Sequence, residues 1–214
     1  MNDATIIYYT ANREDERVER KVKETILKNS GGLPIISVSQ KPIDFGQNIC
    51  VGEQPFCDAT AFRQLLIGLQ AANTKYAIAA ESDCLYPPEY FIFRPPTDDN
   101  VYRYDNIWIL YEWLGEKTKG KFWKKMLCEG AQICNREHWI KSIEHALRRV
   151  SLWQEKRPFQ VFRTRLQYSF TGVSPVISIK TTKGLRKFAG TYQIRRQVLP
   201  LWGDALELRN EIFK

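Results

Sequence analysis

"YAIAAESDCLYPPEYF", residues 76 to 91, runs five small or apolar residues straight into Glu81, Ser82 and Asp83 before a proline pair stops the chain. The lack of polar alternation in "YAIAA" predicts a strand buried on both faces, as at the centre of an α/β sheet. In open sheets of that class ligands bind beyond the carboxyl ends of the strands, so an acidic pair there is placed for chemistry. Side chains at i and i+2 of an extended segment point the same way, which would let Glu81 and Asp83 converge on one divalent cation that holds a substrate diphosphate. The other reading is that one of the two carboxylates only caps the next turn.

Outward from this stretch, "TIIYYT" (5 to 10) is a β-rich run, and "REDERVERKVKETILKN" (13 to 29) spaces Val18, Val22, Ile26 and Leu27 at a helical period. "LPIISVSQ" (33 to 40) follows the Gly31-Gly32 break, so the opening reads as a βαβ unit with parallel pairing. In "DATAFRQLLIGLQAANTK" (58 to 75), Asp58 is the expected N-cap and Phe62, Leu65, Leu66 and Leu69 form an apolar stripe. On the other side, "VYRYDNIWILYEW" (101 to 113) has strand composition and is expected to form a hairpin with "KFWKKMLCEGAQICN" (121 to 135). "REHWIKSIEHALRRV" (136 to 150) is an amphipathic helix with Trp139, Ile143 and Leu147 inward. Beyond it the pattern turns irregular, with short strands expected at "FQVFRT" and "PVISIKT" and a last helix near 203 to 213.

With 214 residues, 43% of them hydrophobic, the chain can bury one core, with or without an appendage. No apolar run approaches a membrane span and the first residues lack a signal-peptide pattern, which predicts a cytoplasmic protein with no membrane partner. Five cysteines without paired C-x-x-C spacing indicate neither a disulfide framework nor a structural zinc site, and read as reduced thiols, mostly small core residues. Charge is uneven: residues 1 to 140 hold 17 Lys/Arg and 19 Asp/Glu, residues 141 to 214 hold 15 and 5. Such asymmetry suits a polyanionic partner such as nucleic acid, a solvated basic surface, or cations serving a small phosphate ligand. No G-x-G-x-x-G follows the first strand, which disfavours a Rossmann dehydrogenase.

"IIYYTANRED", "AAESDCLYPPEYF" and "CEGAQICNREHWI" together, in this order, resemble the GT-A glycosyltransferases, and most of all small phage and bacterial members with an E-x-D-x-L-Y motif. The resemblance covers about residues 5 to 145. It implies an α/β, Rossmann-like mixed sheet flanked by helices, with a basic irregular C-terminal part. Residues 1–150 would be the nucleotide-sugar-binding and catalytic core, and 151–214 a basic segment completing the donor and acceptor site of the same domain. The implied activity is transfer of a sugar, in the family commonly a hexose, from a nucleotide-sugar donor to a hydroxyl acceptor.

Carried over residue by residue, the resemblance makes Asp83 the metal ligand and Glu81 its direct or water-mediated partner, for Mn²⁺ or Mg²⁺. Thr10, Ala11, Asn12 and Arg13 would line the nucleobase and ribose, although Arg13 also fits an ordinary first-turn helix position. An inverting enzyme needs a carboxylate to take the acceptor proton. The family places it after the acceptor-side helix, where Glu155 in "SLWQEKRPF" stands, with Glu129 and Glu137 in reserve; Glu155 equally suits a salt bridge with Lys156 or Arg157. A retaining enzyme needs no such base. Many members carry a late histidine as a further metal ligand, whereas His138 and His145 here both fall on the expected helix. In that late position "SPVISIKTTKGLRKF" offers Lys180, Lys183, Arg186 and Lys187, cations suited to the leaving diphosphate in place of metal.

Three functional readings follow. Basic residues interleaved with Trp153, Phe159, Phe162, Tyr168, Phe188, Tyr192 and Trp202 suit a hydroxymethylated base in phage DNA, reached by flipping. A cell-surface glycan or small molecule is the second. The third is a non-catalytic nucleic-acid-binding module on a degenerate transferase fold, against which the intact acidic pair speaks. Oligomeric state is not legible in the sequence.

Overall fold

The computed structural model describes residues 3–116, 118, 120–126, 128–148, 168–185 and 187–214. The expected βαβ unit opens it: β1 (Ala4–Thr10), α1 (Glu16–Asn29) and β2 (Ile35–Ser39), with β1 and β2 parallel from Ile6 opposite Ile35 to Thr10 opposite Ser39. Helix α1 starts where it does because the Asp15 carboxylate accepts the Arg17 N–H, and Glu16 and Glu19 in the first turn suit the helix dipole. Next come β3 (Gln47–Cys50), α2 (Asp58–Ala71), β4 (Tyr76–Glu81), β5 (Cys84–Leu85) and α3 (Pro88–Ile92). Cys57, not Asp58, is the N-cap of α2. Asp58 instead lies in the first turn, where a negative charge is favoured by the dipole.

After them run β6 (Val101–Tyr104), β7 (Ile107–Tyr111), β8 (Phe122–Lys125), β9 (Gln132–Asn135) and α4 (Arg136–Leu147). The chain closes with β10 (Tyr168–Phe170), β11 (Val176–Lys180), β12 (Thr191–Arg196), β13 (Val198–Leu199), β14 (Gly203–Asp204) and α5 (Ala205–Phe213). A seven-stranded sheet has the order β10-β6-β9-β4-β1-β2-β3, in which β9 runs antiparallel to both β4 and β6. A five-stranded sheet has the order β12-β8-β7-β11-β5. The expected hairpin thus splits between sheets, β7 pairing with β8 in one and β6 with β9 in the other. The split falls at Asp105-Asn106, where Asn106 turns the chain and accepts the Trp108 indole N–H. The strand expected at "FQVFRT" lies outside the described residues.

Burial follows the period of two that an extended chain imposes. Ile6, Tyr8, Ile78 and Ala80 face α1 and the second sheet, whereas Ile7, Tyr9, Ala77 and Ala79 face α2 and α4, including Trp139, Ile143 and Leu147. Small residues let these layers close. A Cβ on Gly68 of α2 would lie 2.3 Å from Ile7 Cγ2, so the helix rests directly on β1. The result is a mixed α/β architecture, with helices on both faces of the larger sheet. Among the described residues no helix is long and apolar enough to cross a membrane.

Candidate active site

Strand β4 ends at Glu81 and the chain turns at once through Ser82 and Asp83, so the acidic pair does not project from an extended segment. The tyrosines of "YPPEY" fix that turn. Tyr86 Oη accepts the Glu81 N–H at 2.7 Å and donates to the Gly130 carbonyl at 2.7 Å. Tyr90 Oη lies 2.7 Å from the Ala79 carbonyl and 3.0 Å from that of Gln132, and the two rings stack at 4.9 Å. Pro88 begins α3, where a missing N–H costs nothing. Opposite Glu81 stands Gly130, at which a Cβ would meet Glu81 Oε2 at 2.2 Å. The motif therefore fastens the acidic turn to the segment entering β9.

A cavity of about 560 Å³ opens at the carboxyl ends of β1 and β4. Its floor holds Glu81, Asp83, Lys125, Cys128 and Lys180. Lys180 Nζ donates to Asp83 Oδ2 at 2.7 Å, and the Cys84 thiol donates to Asp83 Oδ1 at 3.2 Å. Burial alone would raise the Asp83 carboxyl, but the Lys180 and Lys125 charges hold it below the usual carboxylate range. Burial likewise works against the Lys180 ammonium, yet Asp83 keeps it well above an ordinary lysine. Glu81 Oε1 accepts from the Tyr9 hydroxyl at 3.1 Å, and burial together with the Asp83 charge pushes its carboxyl up to about 8.

Lys125, on β8, donates to Ser178 Oγ at 3.2 Å and to Cys128 Sγ at 3.4 Å. The Cys84 thiol beside it, with Lys125, brings Cys128 down to about 6 against the effect of burial. Glu14, just past β1, accepts from the Thr181 hydroxyl at 2.7 Å; burial and the Asp83 charge raise its carboxyl to about 7.

This donor set does not fit Mn²⁺ or Mg²⁺. Asp83, the carboxylate expected to be the metal ligand, is already engaged by an ammonium and a thiol. Beside Asp83 and Glu81 stand a second ammonium and two sulfurs, where hard divalent ions require oxygen. Positive charge at this floor comes from Lys180 and Lys125.

Of the other expected residues, Thr10, Ala11 and Arg13 line the cavity, and the Arg13 guanidinium lies 5.1 Å over the Phe56 ring on its wall. Asn12 does not line it. In the left-handed region at φ 54°, Asn12 turns its Oδ1 to accept the Gln40 and Lys41 N–H groups, tying the exit of β1 to that of β2. Lys183 reaches back to Asp15 at 3.6 Å, and Lys187 is exposed and off the cavity wall. Glu129 is on the wall, accepting from Arg103 Nη2 at 2.9 Å and Gln132 Nε2 at 2.5 Å. Glu137 pairs with Arg136 on the surface of α4 and, like His138 and His145, does not line the cavity. Glu155 and Arg186 lie outside the described residues.

Sequence reasoning missed Lys125, Glu14, Phe56 and the Cys84–Cys128 pair. Only Lys125 left a signal: β8 alternates, so it shares a sheet face with Trp123, an apolar setting for an ammonium. The cysteines gave none, because the fold alone brings them together.

No family model matches the chain, and no curated protein matches it. Among solved structures it is similar to a glycosyltransferase involved in glycosylation of the major capsid of PBCV-1, at 15% identity and a TM-score of 0.47, covering 80% of this chain and 83% of that one. It is also similar to the glycosyltransferase GlyE of Streptococcus pneumoniae TIGR4, at 8% identity and 0.47, covering 78% of this chain and 44% of that one. A Drosophila β1,4-galactosyltransferase 7 mutant in complex with manganese, UDP-Gal and xylobiose is similar at 13% identity and 0.44, covering 78% and 64%. Likenesses this distant leave the chemistry of the cavity to its own residues.

Proposed function

We propose that the chain is a glycosyltransferase that binds a nucleotide-sugar donor in this cavity. The observation that carries the reading is the pair of ammonium groups, Lys180 and Lys125, in a cavity at the carboxyl ends of β1 and β4 walled by Phe56 and Arg13. Two preorganised cations in a secluded site suit a diphosphate, and an aromatic face with a guanidinium suits a nucleobase. Asp83 positions Lys180, which replaces the metal-ligand role first expected of it. The acceptor hydroxyl oxygen attacks the anomeric carbon, and the bond from that carbon to the diphosphate oxygen breaks, its electron pair leaving with the diphosphate. The lysines stabilise the charge that develops there. For inversion the hydroxyl proton goes to a carboxylate, a role for which Glu155 and Glu129 remain the candidates. The sugar is taken to be a hexose, and a cytoplasmic setting suits the five free thiols.

Calorimetry with a panel of nucleotide sugars in EDTA tests this. We expect binding without added metal, and at least about tenfold weaker binding for Lys125→Ala, as expected for loss of one hydrogen bond to a charged group. Absence of binding to any nucleotide sugar, with DNA bound all the same, would instead favour the non-catalytic module.

A further inference from the structure

Five cysteines without metal-type spacing gave no reason to expect a metal, yet three chain segments bring sulfur and oxygen ligands together at the cavity floor. A carboxylate oxygen of Glu81 at the end of β4, Cys84 Sγ on β5 and Cys128 Sγ between β8 and β9 lie within 4.8 Å of one another. We propose that Glu81, Cys84 and Cys128 form a binding site for a thiophilic divalent ion of the zinc class, with a fourth position open to the cavity.

Geometry supports it. Zinc–sulfur bonds of about 2.3 Å at tetrahedral angles put two sulfurs about 3.8 Å apart, so the three ligand atoms need close by no more than about 1 Å. The chemistry is selective as well, because thiolates favour zinc-class ions while magnesium and manganese prefer all-oxygen shells. Charge is matched too: two thiolates and one carboxylate are balanced by the divalent ion and the Lys125 ammonium. Lys125 need not leave, since a metal-bound thiolate still accepts its N–H, and such an outer bond orients the ligand. On binding, the protons of the two thiols and any proton on Glu81 are released to solvent while the sulfurs and the carboxylate oxygen bond the ion, so affinity rises with pH. Glu81 and Cys128 line the cavity, which gives the ion its entry path. None of this depends on which substrate the cavity takes.

The test uses the full-length chain carrying Cys50→Ser and Cys57→Ser, which removes the two less buried thiols. Titration with Co²⁺ alone is expected to give one equivalent of tetrahedral visible bands and a sulfur-to-cobalt charge-transfer band, both erased by Zn²⁺. Cys84→Ala and Cys128→Ala should each remove most of the charge-transfer intensity, and Glu81→Gln should weaken binding but keep the band. X-ray absorption of the zinc-loaded protein, which needs no further substitution, should show two sulfurs in the first shell. Absence of cobalt binding, a band that survives either cysteine change, or a zinc shell with fewer than two sulfurs overturns the site.

Discussion

Asp83 and Lys180 form a nearly buried ion pair, and that changes what substitution of either does. Removing one partner leaves the other charge uncompensated, a loss of about 3–5 kcal/mol, whereas removing both costs far less. Urea unfolding should therefore show Asp83→Ala strongly destabilised, with stability partly restored in Asp83→Ala/Lys180→Ala, while donor binding stays lost in both. A double variant no more stable than the single would mean the pair is not what holds Asp83. Glu14 gives a second residue-scale prediction. Its carboxyl holds a proton to about 7 in the folded protein against 4.5 ordinarily, so the folded state binds more protons between those values. Stability must then fall as pH rises through that window. Glu14→Gln should flatten this part of the pH–stability curve, and an unchanged slope would remove the assignment.

At the scale of elements, glycines mark where close approach is built in. Gly68 lets α2 rest on β1, and Gly68→Ala should cost about 1–3 kcal/mol through overpacking against Ile7, read as a lower urea midpoint at unchanged slope. The elements themselves were largely legible. "YAIAA" is apolar on both faces because it is central, and the stripe of α4 and Val18, Val22 and Ile26 of α1 point inward as their spacing says, whereas Leu27 at the end of α1 is exposed. The hairpin was half right, since local composition marks strands but does not say which sheet takes each one. The site was less legible for the same reason. Glu81 and Asp83 stand out in sequence, but their partners come from β8, β11 and the loop before β9, and pairings across such separations leave no local pattern. Reading the pair as an extended i, i+2 set failed because the strand stops at Glu81 and the Tyr86 bond pulls the next residues into a turn.

For the whole molecule, the open matter is the acceptor, and charge decides how to ask. The excess of 15 Lys/Arg over 5 Asp/Glu in residues 141 to 214 is larger than one diphosphate requires, and among the described residues only Lys180 of these cations reaches the cavity floor. Near the cavity mouth Phe188 is 67% exposed, and the chain continues into β12, where Tyr192 is exposed and Arg195 lies 3.9 Å over the Trp123 ring. Exposed aromatic rings and exposed cations on one stretch of chain suit a phosphate backbone with an extruded base, as a hydroxymethylated DNA acceptor would require. If phosphates are contacted, the logarithm of affinity falls linearly with the logarithm of salt, by about 0.9 per phosphate on duplex DNA. Lys187→Ala, exposed and off the cavity wall, should then lower that slope by about 1 and leave donor binding unchanged. Labelled sugar offered with hydroxymethylated DNA, unmodified DNA and a glycan panel should appear on the first. Transfer to neutral glycans alone, or DNA affinity indifferent to salt, would exclude the nucleic-acid acceptor while leaving the donor reading in place, because the donor reading rests on Lys180 and Lys125 at the cavity floor and the acceptor reading on residues at and beyond its mouth.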